Sequence, residues 1–165
     1  MSKVLITGGG GYIGSMLSTE LLKDGHEVTI IDLMKYDKGS LNHLYFHKNF
    51  KLINKDIRNL KVMKKLVANH EFIIPLAALV GAQLCEKYKK EAIDINYKAI
   101  KSLTKMMTAR NKIIYLTTNS GYGIGKKNKY CDENSSLKPV SLYGITKINS
   151  EEIVKKTKYY KQLYS

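Results

Sequence analysis

The sequence predicts an α/β fold in which a parallel sheet is covered by helices on both faces. Three observations carry this. Short apolar runs rich in β-branched residues alternate with longer amphipathic stretches along the chain, the pattern of repeated right-handed βαβ crossovers. The first run leads into "TGGGGYIG", residues 7 to 14, where five of eight residues are glycine although the chain has only 12 among its 165. A carboxylate, Asp32, closes the second run.

"KVLIT" (3–7) is a short β-branched run ended by glycine and reads as a buried strand. Residues 12–24 place Ile13, Met16, Leu17 and Leu21 at helical spacing, and Asp24-Gly25 is a helix stop. "EVTIID" (27–32) is the second strand, and a looser stretch, 33–49, leads to a third, "FKLINKD" (50–56). "LKVMKKLVANH" (60–70) is an amphipathic helix, and "EFIIPLAA" (71–78) is a fourth strand running into a loop. A long helix is predicted over 88–110, a fifth strand in "KIIYLTT" (112–118), a polar loop over 119–140 and a last helix from Ser141 to Lys161. No repeat or low-complexity linker interrupts the series, so one domain is predicted over 1–165.

Composition narrows the function. The chain carries a net charge of +14, yet only Arg58 and Arg110 of its 28 basic residues are arginine. Bidentate phosphate and base-edge recognition favours arginine, and the lysines form no stripe, so nucleic acid is not the predicted partner. A nucleotide-like polyanion is compatible with the charge. No apolar run reaches the roughly eighteen residues of a membrane span, and the first residues run straight into a strand with no signal-peptide pattern. Cys85 and Cys131 are too few and too far apart for a disulfide framework or a zinc site. No metal is predicted, and reduced thiols in a cytoplasmic protein are the expectation.

The glycine cluster has a physical reason. Gly8, Gly11 and Gly14 stand at G-x-x-G-x-x-G spacing between the first strand and the first helix. A tight strand-to-helix turn needs positive φ, a pyrophosphate can approach only where no Cβ intrudes, and the last glycine allows close packing. The helix N-terminus then offers free N–H groups and partial positive charge to the phosphates. Asp32, 18 residues past Gly14, suits the hydroxyls of an adenosine ribose and repels a 2′-phosphate. NAD is therefore predicted over NADP, although Lys35 and Lys38 lie close by. The fold predicted is a Rossmann-type doubly wound parallel sheet.

Tyr-x-x-x-Lys places both side chains on one helical face, where an ammonium can lower the phenol's pKa for proton exchange. The pattern occurs three times, as Tyr97/Lys101, Tyr122/Lys126 and Tyr143/Lys147. Glycines in "YGIGK" disfavour the second pair as a helix face, and the first sits on the helix before strand five. The third follows strand five by one loop. With "TGGGGYIG", "IIDL", "DIRN", "PLAALVG", Asn96, "TTNSGYG" and "DENSSLKPVSLYGITK" in this order, the chain resembles the N-terminal part of extended short-chain dehydrogenases/reductases. These are the nucleotide-sugar epimerases and dehydratases.

The resemblance implies Thr118, Tyr143 and Lys147 as the catalytic set, with Tyr143 as acid/base and Thr118 bonded to the reacting oxygen. Lys147 would hold the nicotinamide ribose and tune Tyr143. It further implies cofactor contacts from Gly8, Gly11, Tyr12, Ile13, Gly14, Asp32 and Leu33, and from Asp56 and Ile57 at the adenine. Leu76, Ala77, Ala78 and Thr117, with Tyr143 and Lys147, would line the nicotinamide end. Asp56 could instead cap the helix that follows it, Asn96 is expected to be structural, and Pro75 stands where the family often has histidine. In place of the dehydratases' Asp-Glu pair this chain has Asn119 and Ser120, which are no acids at neutral pH. Dehydration is disfavoured; epimerisation, or simple oxidation and reduction, is predicted.

The family's fold continues past the Tyr143/Lys147 helix with a further strand and a substrate domain, whereas this sequence stops at Ser165. The sheet is thus expected to be incomplete at its C-terminal end, and a nucleotide-sugar substrate to need a fuller form. A dinucleotide-binding module or fragment without turnover is the alternative. A homodimer through helices 88–110 and 141–161 is a further expectation, suggested by Ile93, Ile100, Leu103 and Met107, a stripe that could equally be the face by which a crossover helix covers the sheet.

Overall fold

Five parallel strands form one sheet in the order β3-β2-β1-β4-β5. They are β1 (Lys3–Thr7), β2 (Glu27–Asp32), β3 (Phe50–Asn54), β4 (Phe72–Pro75) and β5 (Lys112–Ile113). The helices are α1 (Tyr12–Lys23), α2 (Leu60–Asn69), α3 (Ala82–Lys87), α4 (Lys89–Ile93), α5 (Ile100–Met106) and α6 (Leu142–Lys155). This computed structural model describes residues 1–125, 130–132 and 134–157. The chain builds outward from β1 to β3 and then returns to the other side of β1. The reversal between β1 and β4 leaves a crevice at the strands' C-terminal ends, where doubly wound sheets bind ligands.

Alternation along β1 divides the core. Leu5 joins Ile31, Met63, Val67, Ile73, Leu103 and Val154 on the face covered by α2, α5 and α6. Val4 and Ile6 join Leu22, Val28, Ile30 and Leu41 on the α1 face. Burial of Ile100, Leu103 and Met107 commits to the sheet three of the four residues whose stripe suggested a dimer.

Four predicted elements differ in detail. In α1, Ile13 and Met16 are more than half exposed, and the buried face is Gly14, Ser18 and Leu22. Small residues let this helix lie close to the strands, while Leu17 and Leu21, partly buried, pack against the core. The predicted 88–110 helix is α4, a π-helical segment over Asp94–Ala99 and α5, preceded by α3 across a break at Tyr88. The last helix is described only to Lys155, and its predicted end, with residues 158–165, lies outside the described residues. Strand five is shorter than "KIIYLTT". The Ile114 N–H donates to the Ile73 carbonyl at 3.0 Å; the next β4 position facing β5 is Pro75, which has no N–H for another rung.

Candidate cofactor cleft and active site

The ends of β1, β2 and β4 open on a cleft of about 480 Å³. Around it stand Gly8, Gly11, Tyr12, Ile13, Gly14, Asp32, Leu33, Asp56, Ile57, Leu76, Ala77, Ala78, Thr117, Tyr143 and Lys147. All the residues singled out for cofactor contact are thus brought to one cleft. Thr118 is not among the residues that line the cleft; it stands near enough to Tyr143 to pull the phenol's pKa down.

The glycines divide into those the protein needs and one it does not. Gly8 has φ of 72°, and a Cβ there would lie 2.4 Å from the Ala77 nitrogen. A Cβ on Gly14 would lie 2.5 Å from the Gly9 Cα, so its absence lets α1 close onto the turn. A Cβ on Gly11 would meet nothing nearer than the Gly8 oxygen at 3.5 Å. No protein atom demands glycine at that position, which suits a ligand approaching the backbone there. Gly11 also begins α1 without any side-chain cap, so amides of the first turn are left for an anion. These features fit a dinucleotide pyrophosphate.

At the end of the cleft formed by β2 and the segment after β3, backbone groups fix the carboxylates. Asp32 accepts from the Gly10 N–H at 2.9 Å and from the Met34 N–H at 2.7 Å. Asp56 does not cap α2; Asn59 does, accepting from the Val62 N–H. Instead Asp56 takes the Arg58 backbone N–H at 2.8 Å and its guanidinium at 2.6 Å. The Arg58 side-chain bonds, first among several causes, hold its carboxyl below the usual range.

At the other end, α6 delivers Tyr143 and Lys147. Two glycines allow the approach: a Cβ on Gly144 would lie 2.8 Å from the Ser120 oxygen, and one on Gly121 2.4 Å from the Ile148 side chain. Thr118 begins the 3₁₀ turn Asn119–Tyr122 and accepts from the Ser120 N–H. Burial raises the Tyr143 phenol above its ordinary pKa, while the Thr118 hydrogen bond pulls the other way. Lys147, only 7% exposed, donates to the Leu116 carbonyl at 2.6 Å and lies 4.2 Å above the Tyr115 ring. Burial brings its pKa down to about 8, against an opposing contribution from Glu151. Burial is thus the largest cause acting on Tyr143, and Thr118 is the group that lowers it. The ammonium is directed to a carbonyl and a ring face, and burial dominates the phenol.

The other Tyr-x-x-x-Lys pairs form no such arrangement. Lys101 lies 5.9 Å from the Tyr97 ring on an exposed surface. Lys126 lies outside the described residues.

A family model, NAD dependent epimerase/dehydratase, matches residues 4–163. The chain belongs to this family. It is 34% identical over 124 residues to a UDP-N-acetyl-alpha-D-glucosaminuronate decarboxylase from Bacillus cytotoxicus, covering 74% of this chain and 38% of that protein. Its fold is similar to that of a UDP-Glc/GlcNAc 4-epimerase from Campylobacter jejuni, with a TM-score of 0.86, 27% identity, and coverage of 95% of this chain and 49% of that one. A Bacillus cereus UDP-glucuronic acid 4-epimerase, solved with UDP-glucuronic acid and NAD, gives 0.83 at 28% identity, covering 93% and 51%. The chain spans about half the length of these structures.

Within this family member, Asn96 is structural. It is 2% exposed, its Oδ1 accepts from the Leu79 N–H at 2.8 Å and its Nδ2 donates to the Leu79 carbonyl at 2.9 Å. It thus fixes the loop after β4, as a strand partner would, from inside the π-helical segment. Ser150 on α6 donates to the Asn96 carbonyl at 2.6 Å, tying the segment to the helix that bears Tyr143. Sequence reasoning missed Tyr115, Glu91 and the glycines 121 and 144 as site-forming residues. Only the glycines left a signal, standing where a helix former or a side chain would otherwise serve.

Among the described residues no helix is long and apolar enough to cross a membrane, and no cluster of His, Cys, Asp and Glu could hold a metal.

Proposed function

We propose that this chain is the cofactor domain of an NAD-dependent enzyme that oxidises and reduces a hydroxyl on a nucleotide-linked sugar, with epimerisation at that carbon as the outcome. The observation that carries the reading is the meeting, on one cleft, of the glycine turn and Asp32 with Tyr143 and Lys147. The uncapped amides of α1 and the glycine turn bind the pyrophosphate. Asp32 accepts from the adenosine ribose hydroxyls, Asp56 and Ile57 flank the adenine, and Leu76, Ala77, Ala78 and Thr117 line the nicotinamide ribose. NAD, when bound, supplies the hydride acceptor.

Tyr143 carries the proton. Its raised pKa keeps the phenol protonated near neutrality, ready to give a proton to a sugar carbonyl. Taking one from a hydroxyl requires that pKa to fall, and Lys147, one helical turn away, remains mostly charged at pH 7 with a pKa of about 8. Thr118, close enough to Tyr143 to act on its phenol, orients the same oxygen. Asn119 and Ser120 supply no acid for water loss.

Similarity to the decarboxylase favours a second outcome on a uronic sugar, because a carboxylate β to a newly formed ketone is readily lost as carbon dioxide. Association through the outer faces of α5 and α6 is also proposed; only monomer by light scattering at micromolar concentration would remove it.

Calorimetric titration tests the cofactor reading. NADH should bind more tightly than NADPH, and Asp32→Asn should narrow the ratio roughly tenfold by removing the repelling charge. Equal or tighter NADPH binding by the unaltered chain would sink the charge argument. An extended native chain, assayed with UDP-, dTDP- and GDP-sugars including glucuronic forms, separates epimerisation from decarboxylation. Cofactor binding without turnover in that chain would favour a binding module.

A further inference from the structure

The adenosine end of the cleft is bridged by an ion pair. Lys35 Nζ lies 3.7 Å from Glu91 Oε1, and both residues line the cleft with Asp32 and Asp56. Lys35 follows Asp32 by three positions, beyond a turn at Met34, whose φ of 51° is in the left-handed region. Glu91 comes from α4, across the cleft. It also lies close enough to raise the Arg58 pKa, after the larger contribution of Asp56. Glu91 is therefore a carboxylate shared by two cations beside the carboxylate that reads the ribose.

We propose that Glu91 is a specificity-determining residue: by pairing with Lys35 across the cleft, it withholds the cation that a 2′-phosphate would require. This rests on the NAD reading above. Asp32 cannot account for selectivity alone, because a neighbouring lysine free to move can neutralise a 2′-phosphate beside it. Arg58 is not free to do so, since three hydrogen bonds join its guanidinium to Asp56. Lys35, with 60% of its side chain exposed, has the freedom to turn toward the ribose once Glu91 no longer holds it. Lys55 is the other lysine lining this end. Asp32, held by two backbone N–H groups, stays in place, so its repulsion persists and the gain on releasing Lys35 is partial.

The test is titration of the 165-residue chain with NADH and NADPH in four forms: unaltered, Glu91→Gln, Lys35→Gln with Glu91→Gln, and Lys55→Gln with Glu91→Gln. Glu91→Gln should lower the NADPH-to-NADH dissociation-constant ratio about fivefold at low salt, less at high salt where exposed charges are screened. Adding Lys35→Gln should restore the original ratio, whereas adding Lys55→Gln should leave the gain in place. A ratio within about twofold of the unaltered chain's for Glu91→Gln, or a gain that survives Lys35→Gln, overturns the proposal while the NAD reading stands. Failure of the unaltered chain to bind either dinucleotide overturns both.

Discussion

The two ends of the cleft are built in opposite ways. At the adenosine end, the glycine turn is backbone and Asp32 is gripped by backbone N–H groups at 2.9 and 2.7 Å, so its geometry belongs to a contiguous stretch and one neighbouring strand. At the catalytic end, side chains from the segment after β5, the turn that follows it and α6 meet, and burial shifts two ionisable groups from their ordinary behaviour: Tyr143 raised, Lys147 lowered to about 8. One end is organised by steric exclusion, the other by buried charge. Variants at the first should act on affinity or folding, and variants at the second on proton transfer and pH dependence.

The largest effect expected is at the catalytic end. Tyr143→Phe, in an extended native chain that turns over, should lower kcat by about 10²- to 10⁴-fold, the usual worth of a positioned acid/base. NADH affinity should change little, because removing one hydroxyl leaves the glycine turn and Asp32 untouched. Stopped-flow rates with calorimetry on the same variant check this. A comparable loss of affinity would show that the two ends are not separable. The 165-residue chain alone should bind cofactor but show little turnover, since positioning a sugar at reacting distance supplies much of the rate and the chain spans about half of its structural relatives.

The glycine turn provides a finer division. Gly8→Ala places a Cβ 2.4 Å from the Ala77 nitrogen at a φ of 72°, and should cost about 3 kcal/mol or more of folding stability. Gly11→Ala meets nothing closer than 3.5 Å, and its φ is −81°. Stability should move by less than about 0.5 kcal/mol, while NADH affinity falls about tenfold, because the added methyl lies where the pyrophosphate approaches. Chemical denaturation and calorimetry on both variants decide it. Unchanged affinity in Gly11→Ala would break the assignment of that glycine to the ligand.

The same contrast explains what the sequence could reveal. The strand–turn–helix with its three glycines is a local pattern whose spacing follows from backbone geometry, and Asp32 follows from where β2 must end. Hence the fold class and the glycine turn were legible. The face of α1 was legible only in part: Leu17 and Leu21 pack against the core, but Gly14 and Ser18 pack inward too, and no hydrophobic pattern marks small residues that do so. The short β5 depends on the register that sets Pro75 opposite it. The Lys35–Glu91 pair joins residues from different crossovers and leaves no periodic trace. The surroundings of Lys147 depend on Tyr115 and the Leu116 carbonyl, which become neighbours only when α6 docks on the end of β5.

Smaller than the effects at Tyr143 and Gly8 is a pH-dependent one at Lys147. An amine whose pKa falls on folding, here from 10.5 to about 8 by burial, binds more protons in the unfolded chain than in the folded one between those values. Stability contributed by this group therefore rises with pH across that window and is lowest below about pH 8, where folding must bury the ammonium. The gain between pH 8 and pH 10 is on the order of 2 kcal/mol. Tyrosines whose pKa values are raised, Tyr115 and Tyr143 among them, act oppositely only as pH passes about 10, when they ionise more readily in the unfolded chain. Lys147→Met removes the lysine's contribution while keeping an unbranched chain to pack over Tyr115. The difference in denaturation free energy between the unaltered chain and the variant should thus shift in favour of the unaltered chain as pH rises from 8 to 10, whatever the cost of leaving the Leu116 carbonyl without its donor. A difference that stays constant over this range would mean that Lys147 keeps its ordinary pKa. The catalytic end would then lack the buried charge that distinguishes it from the adenosine end.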